Sequence, residues 1–284
     1  MHQNTKELIK KYDIRLTKSL GQNFLIDSNV LSQIADSTKA TYDDLVIEVG
    51  SGLGNLTVEL ASRAKHVIAI EIDKRLIPAL SENLAWMNNI SLINDDVLKI
   101  DLNSIVANME GYKSIRMAGN LPYYITTPVI MQFLEKGPRV KSMCVMIQKE
   151  VADRIVAKPG NKNYGALTVA VQYFANPVRL FNVPPHVFIP QPSVDSTVLY
   201  MDIYDKPPVE TLSKETLFKV IRAAFGQRRK TLLNALSNSR AFPLSKDQFR
   251  EVLNLMDISE NERGENLDIY QFSNLSNLIH QFEK

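Results

Sequence analysis

Residues 45–54 read Leu45-Val46-Ile47-Glu48-Val49-Gly50-Ser51-Gly52-Leu53-Gly54. The apolar run is short enough for a buried strand, and the glycines after it punctuate the chain. A helical stretch, Leu56 to Arg63, follows at once. Strand, glycine-rich turn and helix together form a phosphate- or nucleotide-binding unit. Glycine lets the backbone turn sharply and approach a ligand without a Cβ clash. The helix start adds unpaired N–H groups and the positive end of a dipole.

The same rhythm continues downstream. Val67–Ile70, Ile90–Ile93, Ile115–Ala118 and Cys144–Ile147 read as strands, with helical stretches at Leu76–Met87 and Pro128–Glu135. This predicts a doubly wound, mostly parallel sheet with its ligands at the carboxyl ends of the strands. Val178–Val183 and Thr197–Ile203 read as strands that close the sheet, while Leu167–Phe174 fits helix or strand equally. The composition breaks at Asp205-Lys206-Pro207-Pro208. Beyond it Leu217, Val220, Ile221 and Ala224 recur at helical spacing, and further helices run to Phe282. The expected architecture is therefore α/β: a Rossmann-like catalytic domain over 1–205 with a basic N-terminal arm, and a small all-α domain over 206–284.

Acids stand at the next two strand ends. Glu71 lies twenty-one residues after Gly50, and Asp95-Asp96 ends the third strand. A carboxylate at the first position can accept ribose hydroxyls, and one at the second an adenine amino group. Either acid could instead cap a turn. The loop alone leaves a dinucleotide and S-adenosylmethionine both open. Its third fingerprint glycine would fall at Asn55, which suits a ligand without a pyrophosphate.

The fourth strand ends at Gly119-Asn120-Leu121-Pro122-Tyr123-Tyr124. Asn-x-Pro is ordinarily a turn, but this one sits at the strand expected beside the first. An exocyclic amino group on a base is a poor nucleophile because its lone pair is delocalised into the ring. Two acceptors that bind both N–H bonds localise that pair, and the Asn120 side-chain oxygen with the Leu121 carbonyl would supply them. Pro122 stiffens the loop, and Tyr123 gives the base a face to stack on, worth roughly 1–3 kcal/mol. The base must be unstacked to reach such a site. No histidine or cysteine is needed, which matches a chain poor in both.

Composition excludes several classes. The chain of 284 residues is 45% hydrophobic and 23% charged, as for globular proteins. No apolar run approaches the ~18 residues of a membrane span. Met1 to Ser19 lacks the apolar core of a secretory signal. The single cysteine, Cys144, lies in an apolar strand and is expected buried; it fits a reducing, cytoplasmic compartment. His2, His66, His186 and His280 lack ligand spacing, so no metal site is expected. Net charge is only +2, yet basic residues cluster. Arg222, Arg228, Arg229 and Lys230 stand together without an acid, and Lys136 to Lys162 holds seven bases against Glu150 and Asp153. Lys6, Lys10, Lys11, Arg15 and Lys18 mark the N-terminal arm. Three clusters favour a polyanionic partner over merely solvated helix faces.

On these motifs the chain resembles the KsgA-type small-subunit rRNA adenine N6-dimethyltransferases. The resemblance spans nearly all its length. It is carried by Lys18-Ser19-Leu20-Gly21-Gln22-Asn23-Phe24-Leu25, the Glu48–Gly54 loop, and Asn120-Leu121-Pro122-Tyr123-Tyr124-Ile125-Thr126-Thr127-Pro128. Gln148-Lys149-Glu150-Val151-Ala152 with Arg154, Lys162-Asn163-Tyr164-Gly165, Phe188 to Ser196 and Ala224 to Leu232 extend it. The resemblance implies a seven-stranded methyltransferase sheet with S-adenosylmethionine as methyl donor. It implies dimethylation of two adjacent adenines in the 3′-terminal hairpin loop of 16S rRNA, within the small ribosomal subunit or its precursor. Carried over residue by residue, Asn23, Leu25, Gly50, Glu71, Asp96 and Asn120 would hold the cofactor. Phe188 would be a second aromatic wall opposite Tyr123. RNA would meet Arg222, Arg228, Arg229, Lys230 and the stretch Lys149 to Lys162, and a monomer is expected. Three other readings stay open: a 23S rRNA adenine methyltransferase of the macrolide-resistance type, a non-enzymatic assembly factor on the same fold, and an NAD dehydrogenase. The last has the wrong glycine spacing.

Overall fold

The computed structural model describes residues 5–14, 21–227 and 229–283. The chain begins with α1 (Thr5–Lys11) and a two-residue strand β1 (Phe24–Leu25). Asp27 then caps α2 (Ser28–Ser37) by accepting from the Val30 N–H. Strict alternation follows: β2 (Asp44–Val49), α3 (Asn55–Ala61), β3 (His66–Glu71), α4 (Ile77–Leu84), β4 (Ile90–Asn94), α5 (Leu102–Ala107), β5 (Ser114–Asn120), α6 (Thr126–Glu135) and β6 (Ser142–Gln148). Next come α7 (Lys149–Ile155), α8 (Ala166–Phe174), β7 (Ala175–Val183), β8 (Phe188–Ile189) and β9 (Ser196–Ile203). The chain finishes with α9 (Lys214–Gly226), α10 (Leu232–Asn238), α11 (Lys246–Leu255) and α12 (Ile269–Phe282).

The expected sheet forms, seven strands in the order β4-β3-β2-β5-β6-β9-β7. The strands from β2 to β6 pair in parallel, and β9 joins β6 antiparallel. β2 is buried along its whole length and β6 along all but its last residue, as a central strand covered on both faces must be. From β2 the chain winds outward through β3 and β4, then returns to lay β5 on the other side of β2. The winding therefore reverses between β2 and β5. Diverging connections leave a crevice at the carboxyl ends of that pair.

The chain divides into two compact units, Met1–Ala152 with Pro177–Ile203, and Asp153–Asn176 with Tyr204–Lys284. Residues 153–176, read from sequence as part of the first domain, cluster instead with the C-terminal helices. Aromatic packing explains it. Tyr164 meets Phe225 edge-on, Tyr173 meets Phe218 edge-on, and the buried Tyr164 hydroxyl donates to the Leu267 carbonyl at 2.7 Å. The ambiguous stretch 167–174 is helical and then passes directly into β7. Ser213, Thr231, Ser245 and Asp268 cap the four last helices with their side chains.

Two further expectations are answered. Cys144 is buried at 1% exposure, and burial pushes its thiol up to about 12, so it is a core residue. The N-terminal arm, read only as basic, contributes apolar packing through α1. Leu8 is fully buried with Phe24, Leu53, Leu76 and Ala79.

Candidate active site

The crevice between β2 and β5 opens into a cleft of about 1000 Å³, continuous with solvent. Its lining brings together Asn23, Leu25, Gly50, Glu71, Asp96, Asn120, Leu121, Pro122 and Tyr123. Of the ten residues expected to do chemistry or hold a cofactor, nine line this cleft and Phe188 does not.

The glycine-rich loop is shaped by backbone requirements. Gly52 adopts φ +58°, and a Cβ there would lie 3.1 Å from the Phe24 ring. Its N–H donates to Glu71 Oε2 at 2.8 Å, while the Asp73 N–H donates to Glu71 Oε1 at 2.9 Å. Burial raises the Glu71 pKa, and those N–H bonds work against it. Each oxygen retains acceptor capacity toward a ligand hydroxyl. Ile72, next along, keeps 44% of its surface exposed and lines the cleft as an apolar wall. Asp96 does cap its turn, accepting from the Leu98 N–H at 3.0 Å and pairing with Lys99 at 3.3 Å. It lines the cleft as well, so capping its turn does not take it out of the cleft.

At the end of β5, Asn120 Nδ2 donates to the Asn23 carbonyl at 2.9 Å. That bond turns the amide so that its oxygen is left as the acceptor. The Leu121 N–H donates to the Met146 carbonyl at 3.0 Å, which fixes the next peptide, and the Leu121 side chain is buried. The Ile125 N–H and the Thr126 hydroxyl both bond the Pro122 carbonyl, starting α6 immediately behind the loop. The Tyr123 ring is half-buried, and its hydroxyl shares a 2.8 Å hydrogen bond with Ser196, itself fully buried. The ring is thereby tethered at its hydroxyl, and Tyr123 lines the cleft.

Phe188 is not among the residues that line the cleft. It is 2% exposed and belongs to the apolar core with Leu31, Ile34, Val183 and Val187. The reason is local pairing: β8 runs antiparallel to β1, with Leu25 opposite Phe188. It thereby backs the strand that carries Leu25. Arg222, Arg229 and Lys230 are exposed, as are Arg154, Lys158 and Lys162, whereas Lys149 is half-buried. Arg228 and the start of the Lys18–Leu25 motif lie outside the described residues.

Sequence reading missed three features of the site. A Cβ on Gly119 would stand 2.5 Å from the Val49 carbonyl oxygen, so only glycine lets β5 approach β2 there. A glycine inside an apolar strand, just before Asn120, was the available signal. Glu48 is 1% exposed in the cleft wall, with its Oε2 lacking a hydrogen-bond partner. Burial pushes its carboxyl up to about 8; the nearby Thr57 hydroxyl opposes this and the charge of Glu71 adds to it. Asn55, where a dinucleotide fold would carry glycine, spends its amide on the Leu25 carbonyl and the Thr5 hydroxyl, both at 2.8 Å. Among the described residues no group of three His, Cys, Asp or Glu side chains could hold a metal, and no helix is long and apolar enough to cross a membrane.

Acceptor carboxylates at successive strand ends, an apolar wall and an open glycine loop fit an adenosine-bearing ligand. Sheet order and cleft together define a Rossmann-like methyltransferase. Comparison with known proteins is more specific. Residues 14–281 match the family model described as ribosomal RNA adenine dimethylase, and the chain belongs to that family. It is 51% identical to ribosomal RNA small subunit methyltransferase A of Alkaliphilus oremlandii, over 96% of this chain and 95% of that protein. The protein of the same name from Clostridioides difficile is 47% identical, over 98% and 96%. Among solved structures, a dimethyladenosine transferase from Plasmodium falciparum superposes with a TM-score of 0.73 at 29% identity, over 88% of this chain and 94% of that one. The 23S rRNA methyltransferase ErmE gives 0.69 at 25%, over 91% and 100%.

Proposed function

We propose that this protein dimethylates the N6 amino groups of two adjacent adenines in the 3′-terminal hairpin loop of 16S rRNA, acting in the cytoplasm as a monomer during small-subunit biogenesis. The observation that carries the reading is the oriented amide of Asn120, an acceptor held at the strand-end crevice beside a pinned tyrosine ring. S-adenosylmethionine supplies the electrophilic sulfonium methyl. Glu71 would accept its ribose hydroxyls and Asp96 its adenine amino group, and Asn23, Leu25 and Gly50, which line the same cleft, would hold the rest of it.

The protein's own part is to prepare the nucleophile. Asn120 Oδ1 and the Leu121 carbonyl accept the two N–H bonds of the target amino group, pulling the nitrogen toward tetrahedral geometry. Pro122 holds both acceptors before the substrate arrives, so their alignment costs nothing at the moment of reaction. Tyr123 stacks on the base that has left its helix. The methylated nitrogen is momentarily cationic and therefore strongly acidic, so its proton passes to water without a protein base. Arg222, Arg228, Arg229, Lys230 and the stretch Lys149 to Lys162 would meet RNA phosphates.

The likeness to ErmE keeps a 23S rRNA substrate as the second reading, since that fold serves both. Identities of 45–51% to several small-subunit methyltransferases A support the 16S substrate. The deciding experiment assays methyl transfer to intact small subunits, free rRNA and large subunits side by side. Transfer confined to large subunits would replace the proposal. Binding to small subunits without transfer would favour an assembly factor.

A further inference from the structure

Residues 21–25 contain little regular structure, yet they are fastened to three different strand-end loops. Gln22 Nε2 donates to Asp73 Oδ2 at 2.7 Å, just past β3. The Asn23 carbonyl accepts from Asn120 Nδ2 at 2.9 Å, at the end of β5. The Leu25 carbonyl accepts from Asn55 Nδ2 at 2.8 Å, at the first residue of α3. The segment is a strap across the cleft, and its middle carbonyl decides which way the Asn120 amide faces. Without that carbonyl the amide can turn by half a rotation about its last bond. It would then present hydrogens where an amino group needs an acceptor.

Asn55 is well placed to keep the strap in register. Its amide hydrogens are both used, one on Leu25 and one on the Thr5 hydroxyl, so it joins α1, the strap and the glycine loop at one point. Only Phe24 separates the carbonyl it holds from the one that orients Asn120. Phe24 is 7% exposed and pairs with Ile189, so displacement at Leu25 is passed on rather than absorbed.

We propose that Asn55 is a positioning residue for methyl transfer: by holding the Leu25 carbonyl, it fixes the strap whose Asn23 carbonyl turns the Asn120 oxygen toward the substrate. The inference rests on the reading of Asn120 as the acceptor for the target amino group. The strap retains its Gln22 anchor and its pairing with β8 when Asn55 is lost, so the effect is partial.

The test uses the full chain with Asn55→Ala, Asn55→Asp and Asn55→Gln. Asn55→Asp keeps the size but replaces a donor with an acceptor facing two oxygens; Asn55→Gln keeps an amide donor. One readout is the side-chain amide resonance of Asn120 in ligand-free protein labelled with 15N-asparagine, identified by its loss in Asn120→Asp. The other is the rate constant for transfer at saturating small subunits and S-adenosylmethionine. In Asn55→Ala and Asn55→Asp the Asn120 resonance should move toward that of a freely rotating amide. The rate should fall about tenfold, with both KM values within about twofold, and Asn55→Gln should recover part of each. An unmoved Asn120 resonance would overturn the proposal. So would a rate loss that appears only as a higher KM for S-adenosylmethionine. If the wild-type chain transfers no methyl group, the functional reading fails, and the resonance still decides whether Asn55 orients Asn120.

Discussion

Strand β2 carries an acid at each end, and the two are treated in opposite ways. Asp44, at the amino end, accepts from the Thr41 N–H at 2.9 Å, the Ser114 hydroxyl and Arg116 Nε at 2.9 Å. Arg116 in turn bonds the Thr38 carbonyl at 3.1 Å and the Ser142 hydroxyl at 3.0 Å. Burial alone would raise the Asp44 pKa, but these hydrogen bonds outweigh it and hold the carboxyl below its ordinary value. Glu48, four residues on, is as deeply buried and keeps an oxygen without a partner, so its carboxyl stays protonated up to about 8. One end of the sheet is satisfied in full, and the other tolerates an unmet polar group beside the cleft. Unmet or strained groups persist where the surrounding fold can carry them, and they concentrate at sites of function. The amino end serves stability; the carboxyl end serves chemistry.

That division predicts separable losses. The largest is expected for Asn120→Ala, which removes the oriented acceptor. Methyl transfer should fall by about 10²–10³-fold or more, with unfolding free energy within about 1 kcal/mol of wild type. Chemical denaturation beside a single-turnover assay checks both. A comparable loss of stability would break the comparison.

Asp44→Asn should do the reverse. It leaves Arg116 buried at 6% exposure without its countercharge, a change that costs about 3–5 kcal/mol. The folded fraction should transfer methyl groups at the wild-type rate. The sign with pH follows from the lowered pKa. Asp44 contributes stability above the ordinary value of 3.8, and that contribution is lost as pH falls through its lower folded value. Denaturant titrations in acid should therefore show the wild type converging on the variant.

Glu48→Gln tests the opposite sign. Between 4.5 and about 8 the folded state keeps a proton that the unfolded state has released. Stability contributed at this position therefore falls as pH rises through that window. The neutral, similarly sized glutamine should remove the dependence, so the variant gains on the wild type with rising pH, by at most roughly 1.4 kcal/mol per unit. Parallel unfolding curves at pH 5 and pH 8 would show that Glu48 is not a buried, proton-holding acid.

How much of this was legible depended on sequence distance. The glycine loop, Glu71, Asp96 and Asn120 follow strands whose apolar runs are plain, and the cleft unites them as that pattern requires. Asn23 and Leu25 were reached only through family resemblance. Asn23 meets Asn120 across 97 positions, and β1 is too short to carry a period. The Asp44–Arg116 pair spans 72 positions and joins two strands whose order in the sheet had to be known first. Gly119 is demanding only once β5 lies beside β2. Residues 167–174 stayed ambiguous because a buried helix and a strand share one apolar run here, and nothing in it marks where one ends. Phe188 was likewise reached only through family resemblance, and its burial beside Leu25 follows from the pairing of β8 with β1, a strand too short to show in the sequence.

The smallest effect is expected where polar satisfaction serves orientation rather than stability or chemistry. Tyr123 reaches back to Ser196, at the start of β9, and its pKa is raised by burial, with the Ser196 hydroxyl opposing the shift. Tyr123→Phe keeps the ring and removes the bond. Ser196 is fully buried, so its hydroxyl loses a partner, at about 1–3 kcal/mol in stability. The ring can still stack on a base, so transfer should slow only about threefold to tenfold, in the rate constant rather than in RNA affinity. Tyr123→Ala removes the face itself and should weaken binding of the target base by roughly 1–3 kcal/mol. If Tyr123→Phe were as damaging to transfer as Tyr123→Ala, the hydroxyl would have a part in the chemistry. The carboxyl end of the sheet would then hold a second polar group working on substrate, not only a ring held in place.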